Sequence, residues 1–202
     1  MDDLRQLLAT LSDSPGISGY EGETARLLSH ELKQLVDEVT TDVMGNVIGV
    51  RSGKGPRVML AAHMDEIGLM VKHIDDKGFL RFVPIGGWFD QMLLGQRVIV
   101  RGTSGPLPGV IGSKPPHIMD EEDRKKPVRI KDMFIDIGAT NADDAHNLGV
   151  EVGTPVTMDR RMVTLANDLV TGKSFDDRAG VVMMLMALRM LQDRDVSATV
   201  LA

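Results

Sequence analysis

Residues Val58–Val71 read VMLAAHMDEIGLMV, an apolar run that leads into an imidazole and two acidic side chains. The Val, Leu and Ala residues predict a buried strand over 58–62, which would deliver His63, Asp65 and Glu66 at its carboxyl end. In open α/β sheets the ligand site lies just beyond such strand ends. Imidazole is a common metal ligand, and a carboxylate often hydrogen-bonds its other nitrogen. Taken alone, the motif is equally typical of a polar turn.

The composition of the 202-residue chain limits the class of protein it can be. Hydrophobic residues make up 43%, enough for a core, which Met (14 residues) and aliphatic side chains must fill because aromatics are only 3%. A net charge of −6 without a basic run disfavours nucleic-acid binding. Cys is absent, so any metal site must use His, Asp and Glu. Neither a signal peptide nor a long apolar segment is visible, and we expect a cytoplasmic protein without membrane contact.

The first part of the chain has the pattern of an α/β domain. Leucines at helical spacing from Leu4 to Leu11 predict a first helix, which Ser14-Pro15-Gly16 would end. Ser18 and Glu21 have the spacing of a capping box for a second helix, whose apolar stripe would run to Val39. Strands are predicted at 39–43, 46–50 and 58–62.

After Gly68 the pattern changes to short apolar runs separated by Gly and Pro, which is typical of a small all-β module. One short helix over 142–148 would be capped by Asn141 and ended by Gly149. The charged segment 120–126 has the composition of a solvated loop. The strands predicted for this module are 69–74, 79–83, 97–100, 110–111, 134–137 and 155–158.

The α/β pattern returns after Leu169, with an apolar helix over 180–191 and a strand over 196–202. Ser174-Phe175-Asp176-Asp177-Arg178-Ala179-Gly180 opens that helix. Adjacent acids at a helix start have an ordinary structural explanation, because they cap the helix and complement its dipole.

The presence of His63 elsewhere in the chain favours metal chemistry for Asp176 instead. One imidazole and one carboxylate from two strand ends are half of a two-metal site, in which the ions lie roughly 3.5–4 Å apart. We therefore expect ligand atoms of His63 and Asp176 to approach within roughly 3–6 Å.

Four motifs together resemble the TET, or glutamyl, aminopeptidases. These are di-metal exopeptidases, and some of their relatives carry the name endoglucanase. The resemblance runs from the first helix to the last residue, with the motifs in the family's order. The motifs are AHMDEIGLMV at 62–71, GVIGSKPPH at 109–117, DIGA at 136–139 and SFDDRAG at 174–180.

The resemblance implies an α/β fold, in which a truncated, mixed-sheet di-metal aminopeptidase domain is interrupted by a small β-barrel or PDZ-like dimerisation domain. The catalytic domain would comprise residues 1–67 and 164–202, and the inserted domain residues 68–163. Residues 114–117 would lie in the inserted domain. The resemblance also implies two divalent ions, Zn²⁺ or Co²⁺, a peptide substrate, and a homo-oligomer whose dimers assemble into a dodecamer.

Individual roles follow from the same resemblance. His63 would ligate one metal, and Asp65, as the catalytic residue, would hydrogen-bond the other ring nitrogen of His63 and set its tautomer. Asp176 would bridge both metals, and its peptide bond to Asp177 would be cis. Glu66 would have a structural role or support the metal ligands from behind, and Arg178 would form a structural ion pair. The other histidines are expected at the surface, in packing contacts or at an interface: His30, His73, His117 and His146.

The family pattern continues past the last residue of this sequence. Relatives carry a Glu-Glu pair, in which the first Glu is the general base and the second a metal ligand, then another acidic ligand and a second His. A catalytic zinc site usually has three protein ligands. We therefore expect an inactive N-terminal fragment of a metal-dependent aminopeptidase that releases N-terminal residues from peptides.

Two alternatives remain open. A catalytically dead assembly or interaction subunit would need only the β module. An endoglucanase would need two carboxylates about 5–5.5 or 6.5–9.5 Å apart across a sugar bond. Such enzymes also commonly use aromatic platforms, which one Trp and one Tyr do not favour.

Overall fold

The structure is a computed structural model that describes residues 2–202, apart from the side chains of residues 2, 116 and 123. Its α-helices are α1 (Asp2–Asp13), α2 (Gly22–Leu32), α3 (Glu121–Arg124), α4 (Ala142–Asn147) and α5 (Phe175–Leu191). Its strands are β1 (Glu38–Thr41), β2 (Val47–Arg51), β3 (Arg57–Met59), β4 (Gly68–Ile74), β5 (Leu80–Ile85), β6 (Arg97–Gly102), β7 (Gly105–Ser113), β8 (Met133–Asp136), β9 (Pro155–Met158), β10 (Val163–Thr164), β11 (Val170–Thr171) and β12 (Thr199–Leu201).

The chain divides into two compact units. One comprises Met1–Glu66 with Arg161–Ala202, and the other Ile67–Arg160. The first contains α1, α2, α5 and an open sheet, and the second is a closed barrel. In sequence, therefore, a β unit interrupts an α/β unit. The catalytic and dimerisation roles of residues 1–67 with 164–202 and of 68–163 stay predictions.

The α/β unit is built on a four-stranded mixed sheet in the order β1-β2-β12-β3. β1 and β2, near the strands predicted at 39–43 and 46–50, form an antiparallel hairpin, while β12 runs antiparallel to β2 and parallel to β3. Helix α5 places Val181, Leu185 and Leu188 on one buried stripe at helical spacing. On α1, Leu7 and Leu11 join the same cluster. Helical periodicity thus predicts which faces form this core.

The strand before His63 differs from the prediction. A buried strand over 58–62 is expected, but β3 spans only Arg57–Met59 and all of its residues are exposed. The prediction is wrong because β3 lies at the edge of the sheet, beside β12. Leu60 and Ala62 follow the strand and pack partly buried against the core. The apolar residues at the end of the run are therefore explained by the packing of the segment that follows the strand.

The capping box predicted from Ser18 and Glu21 is also wrong. Helix α2 begins at Gly22, Glu21 is its N-cap, and no side-chain hydrogen bond caps this described helix end. The Glu21 carboxylate instead accepts a hydrogen bond from the Gly19 amide at 2.7 Å. The Ser18 hydroxyl donates to Asp65, far along the chain. A tertiary partner thus outweighs the local cap.

The apolar stripe predicted for α2 continues beyond the helix. Helix α2 ends at Leu32, and Leu35 and Val36 contact the core from the turns that follow. Val39 is the second residue of β1. Apolar residues therefore keep a helical spacing across a turn because the turn packs on the same core.

The second unit is a closed antiparallel barrel in the order β4-β5-β8-β7-β6-β9. Alternate residues point inward, such as Leu69 and Val71 on β4 and Val98 and Val100 on β6, each at most 1% exposed. Closure removes free sheet edges from the unit. The inserted β module predicted from short apolar runs is confirmed.

Helices in the barrel unit are short. The Asn141 side chain accepts a hydrogen bond from the Asp144 amide at 2.8 Å and caps α4, as predicted, and Gly149 after the helix has φ of 86°. The segment 120–126, predicted to be a loop, contains the single-turn helix α3, and its described side chains are exposed. Within residues 2–202, no helix is both long and apolar enough to span a membrane.

Truncation of Ile135 should destabilise the barrel. Ile135 on β8 is 0% exposed, and Ile135→Ala should cost about 2–5 kcal/mol in free energy of unfolding, because it leaves a cavity. The sole tryptophan, Trp88, packs against the barrel core, so its fluorescence in urea reports this unit. The matched control is Ile118→Ala at a 56% exposed position, which should change stability by less than about 0.5 kcal/mol. Equal urea midpoints for the two variants would contradict the assigned core.

Candidate metal centre

The loop between Leu60 and Glu66 carries His63 and is held at both ends. The Leu60 amide donates to the Leu201 carbonyl of β12 at 2.8 Å. The Glu66 amide donates to the Gly16 carbonyl, also at 2.8 Å. Between these bonds the backbone leaves strand geometry. The imidazole is therefore presented from a short loop with two fixed ends.

The two acids at the start of α5 have different tasks. Asp176 and Asp177 have non-helical torsions, and the peptide bond between them is cis, as the resemblance implies. The Asp177 carboxylate accepts from the Gly180 amide at 3.1 Å, in the manner of an N-cap. The Asp176 carboxylate is 97% exposed and faces His63. The structural explanation for adjacent acids therefore applies to Asp177, whereas Asp176 belongs to the site.

His63 lies between two carboxylates. Its Nε2 is 3.1 Å from Oδ1 of Asp176, and its Nδ1 is 2.9 Å from Oδ1 of Asp65. The Ser18 hydroxyl donates to Oδ2 of Asp65. The predicted approach of His63 and Asp176, which are 113 residues apart in sequence, is confirmed, and so is the contact of Asp65 with the other ring nitrogen. The metal-binding and catalytic roles of these residues stay predictions.

The pKa of His63 is a balance of opposing effects. Burial lowers it, but the hydrogen bonds and charges of Asp176 and Asp65 together raise it above its ordinary value. The pKa of Asp65 is lowered, first by the Ser18 hydrogen bond and then by His63, against the effect of burial. An imidazole satisfies two carboxylate acceptors only when both nitrogens carry protons. A metal ion at Nε2 would thus take the place of a proton.

The donor atoms fit a divalent transition metal. Imidazole nitrogen and carboxylate oxygen bind zinc at about 2.0–2.2 Å. The 3.1 Å between Nε2 of His63 and Oδ1 of Asp176 lies within the span of two such bonds from one ion. Among residues 2–202, no group of three or more His, Asp or Glu side chains is arranged to hold a metal ion. The described residues therefore offer part of a ligand set.

A cavity of about 500 Å³ lies beside the imidazole. His63 and Asp65 contribute polar groups to its lining, and this size falls within the range of small-ligand sites. Its apolar wall comes from α2, α5 and the sheet region, and includes Leu28, Leu32, Met59, Val181 and Met184. The candidate metal ligand thus borders a mainly apolar space within the α/β unit.

Comparison with known proteins identifies the family. The model of the M42 glutamyl aminopeptidases matches residues 45–202. The chain belongs to this family. The lysyl aminopeptidase of Pyrococcus furiosus is 36% identical, over 98% of this chain and 58% of its own length. The TET aminopeptidase of the marine sediment archaeon Thaumarchaeota archaeon SCGC AB-539-E09 superposes with a TM-score of 0.95 at 40% identity, over 99% of this chain and 57% of that one.

A second solved structure bears on assembly. The TET1 peptidase of Pyrococcus horikoshii, which can assemble into a tetrahedron or a large octahedral shell, matches with a TM-score of 0.88 at 36% identity, over 98% of this chain and 59% of that one. The chain spans about half the length of the curated relatives it matches. The predicted family and fold class are confirmed by these matches.

Three charged side chains are buried together next to the site of this M42 chain. The side chains of Glu66, Lys173 and Arg178 are 4%, 8% and 0% exposed. Oε1 of Glu66 is 2.5 Å from Nζ of Lys173 and 3.8 Å from Nη2 of Arg178. Burial lowers the pKa of Lys173 while the Glu66 charge opposes it, and burial also lowers the pKa of Arg178. The ion pair predicted for Arg178 is present with Glu66, and the roles of both residues stay predictions.

Ser18 and Lys173 are the residues at this M42 site that sequence reasoning missed. The spacing of Ser18 to Glu21 indicated a cap instead of a contact with Asp65. Lys173 directly precedes the SFDDRAG motif, but no spacing rule links it to Glu66, 107 residues away. Only the folded chain brings these partners together.

The remaining histidines lie away from the contacts of His63. His73 on β4 and His117 are exposed. His146 is exposed, and its Nδ1 lies 3.1 Å from the Glu151 carboxylate. His30 is exposed in the last turn of α2. These placements agree with surface and packing roles.

Removal of the Lys173 charge should destabilise the α/β unit. Lys173→Met leaves the buried Glu66 carboxylate without its closest cation, and breaking a buried pair costs about 3–5 kcal/mol. The measurement is urea unfolding followed by the circular dichroism of the helices. The control is Lys125→Met, which breaks an exposed pair with Glu121 and should cost less than about 0.5 kcal/mol. Unfolding of Lys173→Met at the control's midpoint would show that the buried pair is not stabilising.

Proposed function

We propose that this chain supplies part of the active site of a metal-dependent aminopeptidase that releases N-terminal residues from peptides. The observation that carries the proposal is the 3.1 Å approach of Nε2 of His63 to Oδ1 of Asp176 in a chain of the M42 family. The names of the lysyl aminopeptidase and the TET aminopeptidase relatives support the reaction class. The substrate class is therefore a peptide with a free N-terminus.

Each residue of the site has a distinct role in this proposal. Nε2 of His63 would hold one of two divalent ions, Zn²⁺ or Co²⁺, and the Asp176 carboxylate would be shared between them. Asp65 holds the proton on Nδ1 of His63, which leaves the Nε2 lone pair for the metal. Ser18 in turn fixes Asp65 through Oδ2. When bound, the ions would polarise the scissile carbonyl and lower the pKa of the attacking water.

The proposal extends to assembly and location. Residues 1–67 and 164–202 form part of the catalytic domain, and residues 68–163 form the dimerisation domain. The assembly of the Pyrococcus horikoshii TET1 peptidase into closed shells supports a homo-oligomer built from dimers. The sequence composition supports a cytoplasmic location, with neither nucleic acid nor membrane as a partner.

A catalytically dead assembly subunit is the second candidate function. One observation favours it: the described residues bring together a single imidazole and Asp176 rather than three or more ligands. The barrel unit would then carry the whole function. Activity measurements on the chain and on a chimera distinguish the two candidates.

The 202-residue chain alone should hydrolyse no peptide. Two ligands without a positioned general base are insufficient, since loss of such a base alone costs about 10²–10⁴ in rate. The assay is release of p-nitroaniline from aminoacyl-p-nitroanilides with added Zn²⁺ or Co²⁺. Turnover that a chelator abolishes would contradict the assigned roles.

The matched positive test is a chimera. Residues 1–202 replace the corresponding 57% of the Thaumarchaeota TET aminopeptidase, which is 40% identical to them. We expect chelator-sensitive activity in the chimera and background activity in its His63→Ala variant. A folded chimera that is inactive would favour the dead-subunit function, and full activity in His63→Ala would exclude His63 as a ligand.

Asp65→Asn should weaken metal binding while leaving the fold intact. An amide cannot stabilise the imidazole ligand as a carboxylate does, and loss of such a partner costs about 10–100-fold in affinity. Calorimetric titration of the metal-free chimera with Zn²⁺ measures the change. Asp193→Asn, at an exposed acid in the same unit, serves as the control and should bind as the parent does. Equal affinities of the two variants would show that Asp65 does not support His63 as a metal ligand.

A further inference from the structure

Arg178 has a fully buried guanidinium, at 0% exposure, in the α/β unit. Nη1 donates to the Leu11 carbonyl at 2.5 Å, to the Ser14 carbonyl, and to the Ser14 hydroxyl at 3.1 Å. Nε donates to the Met64 carbonyl at 2.9 Å. One side chain thus joins the end of α1, the loop after β3 and the start of α5.

The hydrogen bond to Met64 links the two candidate ligands. Met64 lies between His63 and Asp65 in the chain, and Arg178 lies two residues after Asp176. The guanidinium is therefore a short, rigid connection between the loop that carries His63 and the turn that carries Asp176. The neighbouring cation Lys173 instead donates to the Ser14 carbonyl and to the Glu66 carboxylate.

Few packing contacts surround the side chains of the two candidate ligands. The side chain of His63 is 56% exposed and that of Asp176 is 97% exposed. Packing around these side chains cannot fix their separation, because most of their surface meets solvent. The hydrogen bond to Asp65 orients the His63 ring, so the separation of His63 from Asp176 depends on where the two backbone segments lie. The buried hydrogen bonds of Arg178 tie these segments together.

Room for the guanidinium depends on Gly16. A Cβ at this position would lie 2.9 Å from Nη2 of Arg178 and 3.0 Å from Oγ1 of Thr24. The Gly16 amide and carbonyl also bond Glu66, at 3.1 and 2.8 Å. The end of the loop and the guanidinium are thus packed against the same glycine.

We propose that Arg178 is a positioning residue that sets the spacing of His63 and Asp176 before metal binds. This inference rests on the proposed metal-binding function of these two residues. Arg178 touches neither metal nor substrate in this role, and acts through the Met64 carbonyl and the start of α5. A lysine keeps the charge but has a single terminal nitrogen, so it cannot hydrogen-bond the Met64 carbonyl and the end of α1 at the same time, as the guanidinium does.

The test compares Arg178→Lys with Leu185→Ala in the 202-residue chain. Leu185 is a fully buried core residue of the same helix, so its truncation lowers stability without touching the loop. Zn²⁺ is titrated while the imidazole signals of His63 are followed by NMR, and the initial slope of shift against metal reports affinity. We expect the slope to fall about tenfold or more in Arg178→Lys and to stay within about twofold of the parent in Leu185→Ala. Equal slopes in the two variants would overturn the positioning role.

A metal-free measurement separates failure of this inference from failure of the proposed function. Amide exchange at Met64 and Asp65 should accelerate in Arg178→Lys more than in Leu185→Ala at matched global stability. If the parent shows no Zn²⁺-dependent shift, the metal role fails, and the exchange data alone decide the positioning role. Gly16→Ala, which displaces the guanidinium without removing its charge, should reproduce both effects and replaces Arg178→Lys if that variant does not fold. The inference would also be overturned if amide exchange at Met64 and Asp65 in Gly16→Ala accelerated only as much as its loss of global stability explains.

Discussion

The guanidinium of Arg178 is enclosed by carbonyl groups from separate segments, and the α/β unit is arranged around it. Moving an ion out of water costs several kcal/mol unless hydrogen bonds and an opposite charge offset the loss. Carbonyls of Leu11, Ser14 and Met64 accept from it, and Glu66 lies 3.8 Å away. Within the described chain, Nη2 has no hydrogen-bond partner. The charge is therefore tolerated only when the end of α1, the loop and α5 converge.

The α/β unit keeps its supporting charges buried and its candidate metal ligands exposed. The supporting charges are buried, where a low dielectric strengthens their interactions. The candidate ligands, His63 and Asp176, lie in contact with solvent, where a metal ion could reach them. The adjacent acids show the same division, because Asp177 accepts a hydrogen bond from the first turns of α5, whereas Asp176 faces His63. Order at an exposed site therefore comes from buried contacts one or two residues away.

Sequence periodicity was sufficient where local pattern and tertiary packing agree. The barrel strands alternate inward and outward residues, so short apolar runs predicted them. The cap at Asn141 is local, and its residue type indicated it. By contrast, β3 is exposed because it lies at a sheet edge, and strand order cannot be read from the run at 58–62. Ser18 bonds Asp65 instead of capping α2, and no local sequence pattern indicates a contact 47 residues away.

The candidate site was also predictable only in part from the sequence. The approach of its two candidate ligands was predictable because residue type and motif position marked them, although 113 residues separate them. The contacts around them were not, because Lys173 is an ordinary basic residue until burial gives it a partner, and the role implied for Arg178 did not include its hydrogen bond to the Met64 carbonyl. Chemistry-bearing residues are therefore easier to find in a sequence than the contacts that position them.

The raised pKa of His63 has the same origin as the proposed metal affinity. Burial opposes the charge on the ring, yet Asp176 and Asp65 together favour it. Two carboxylates fixed on opposite sides of one imidazole attract any cation that can sit at Nε2, whether a proton or a divalent metal. A divalent ion gains more from Asp176 than a proton does, since it carries twice the charge and can bind the oxygen directly. The arrangement that raises the pKa of His63 is thus also the arrangement that would favour a metal ion at Nε2.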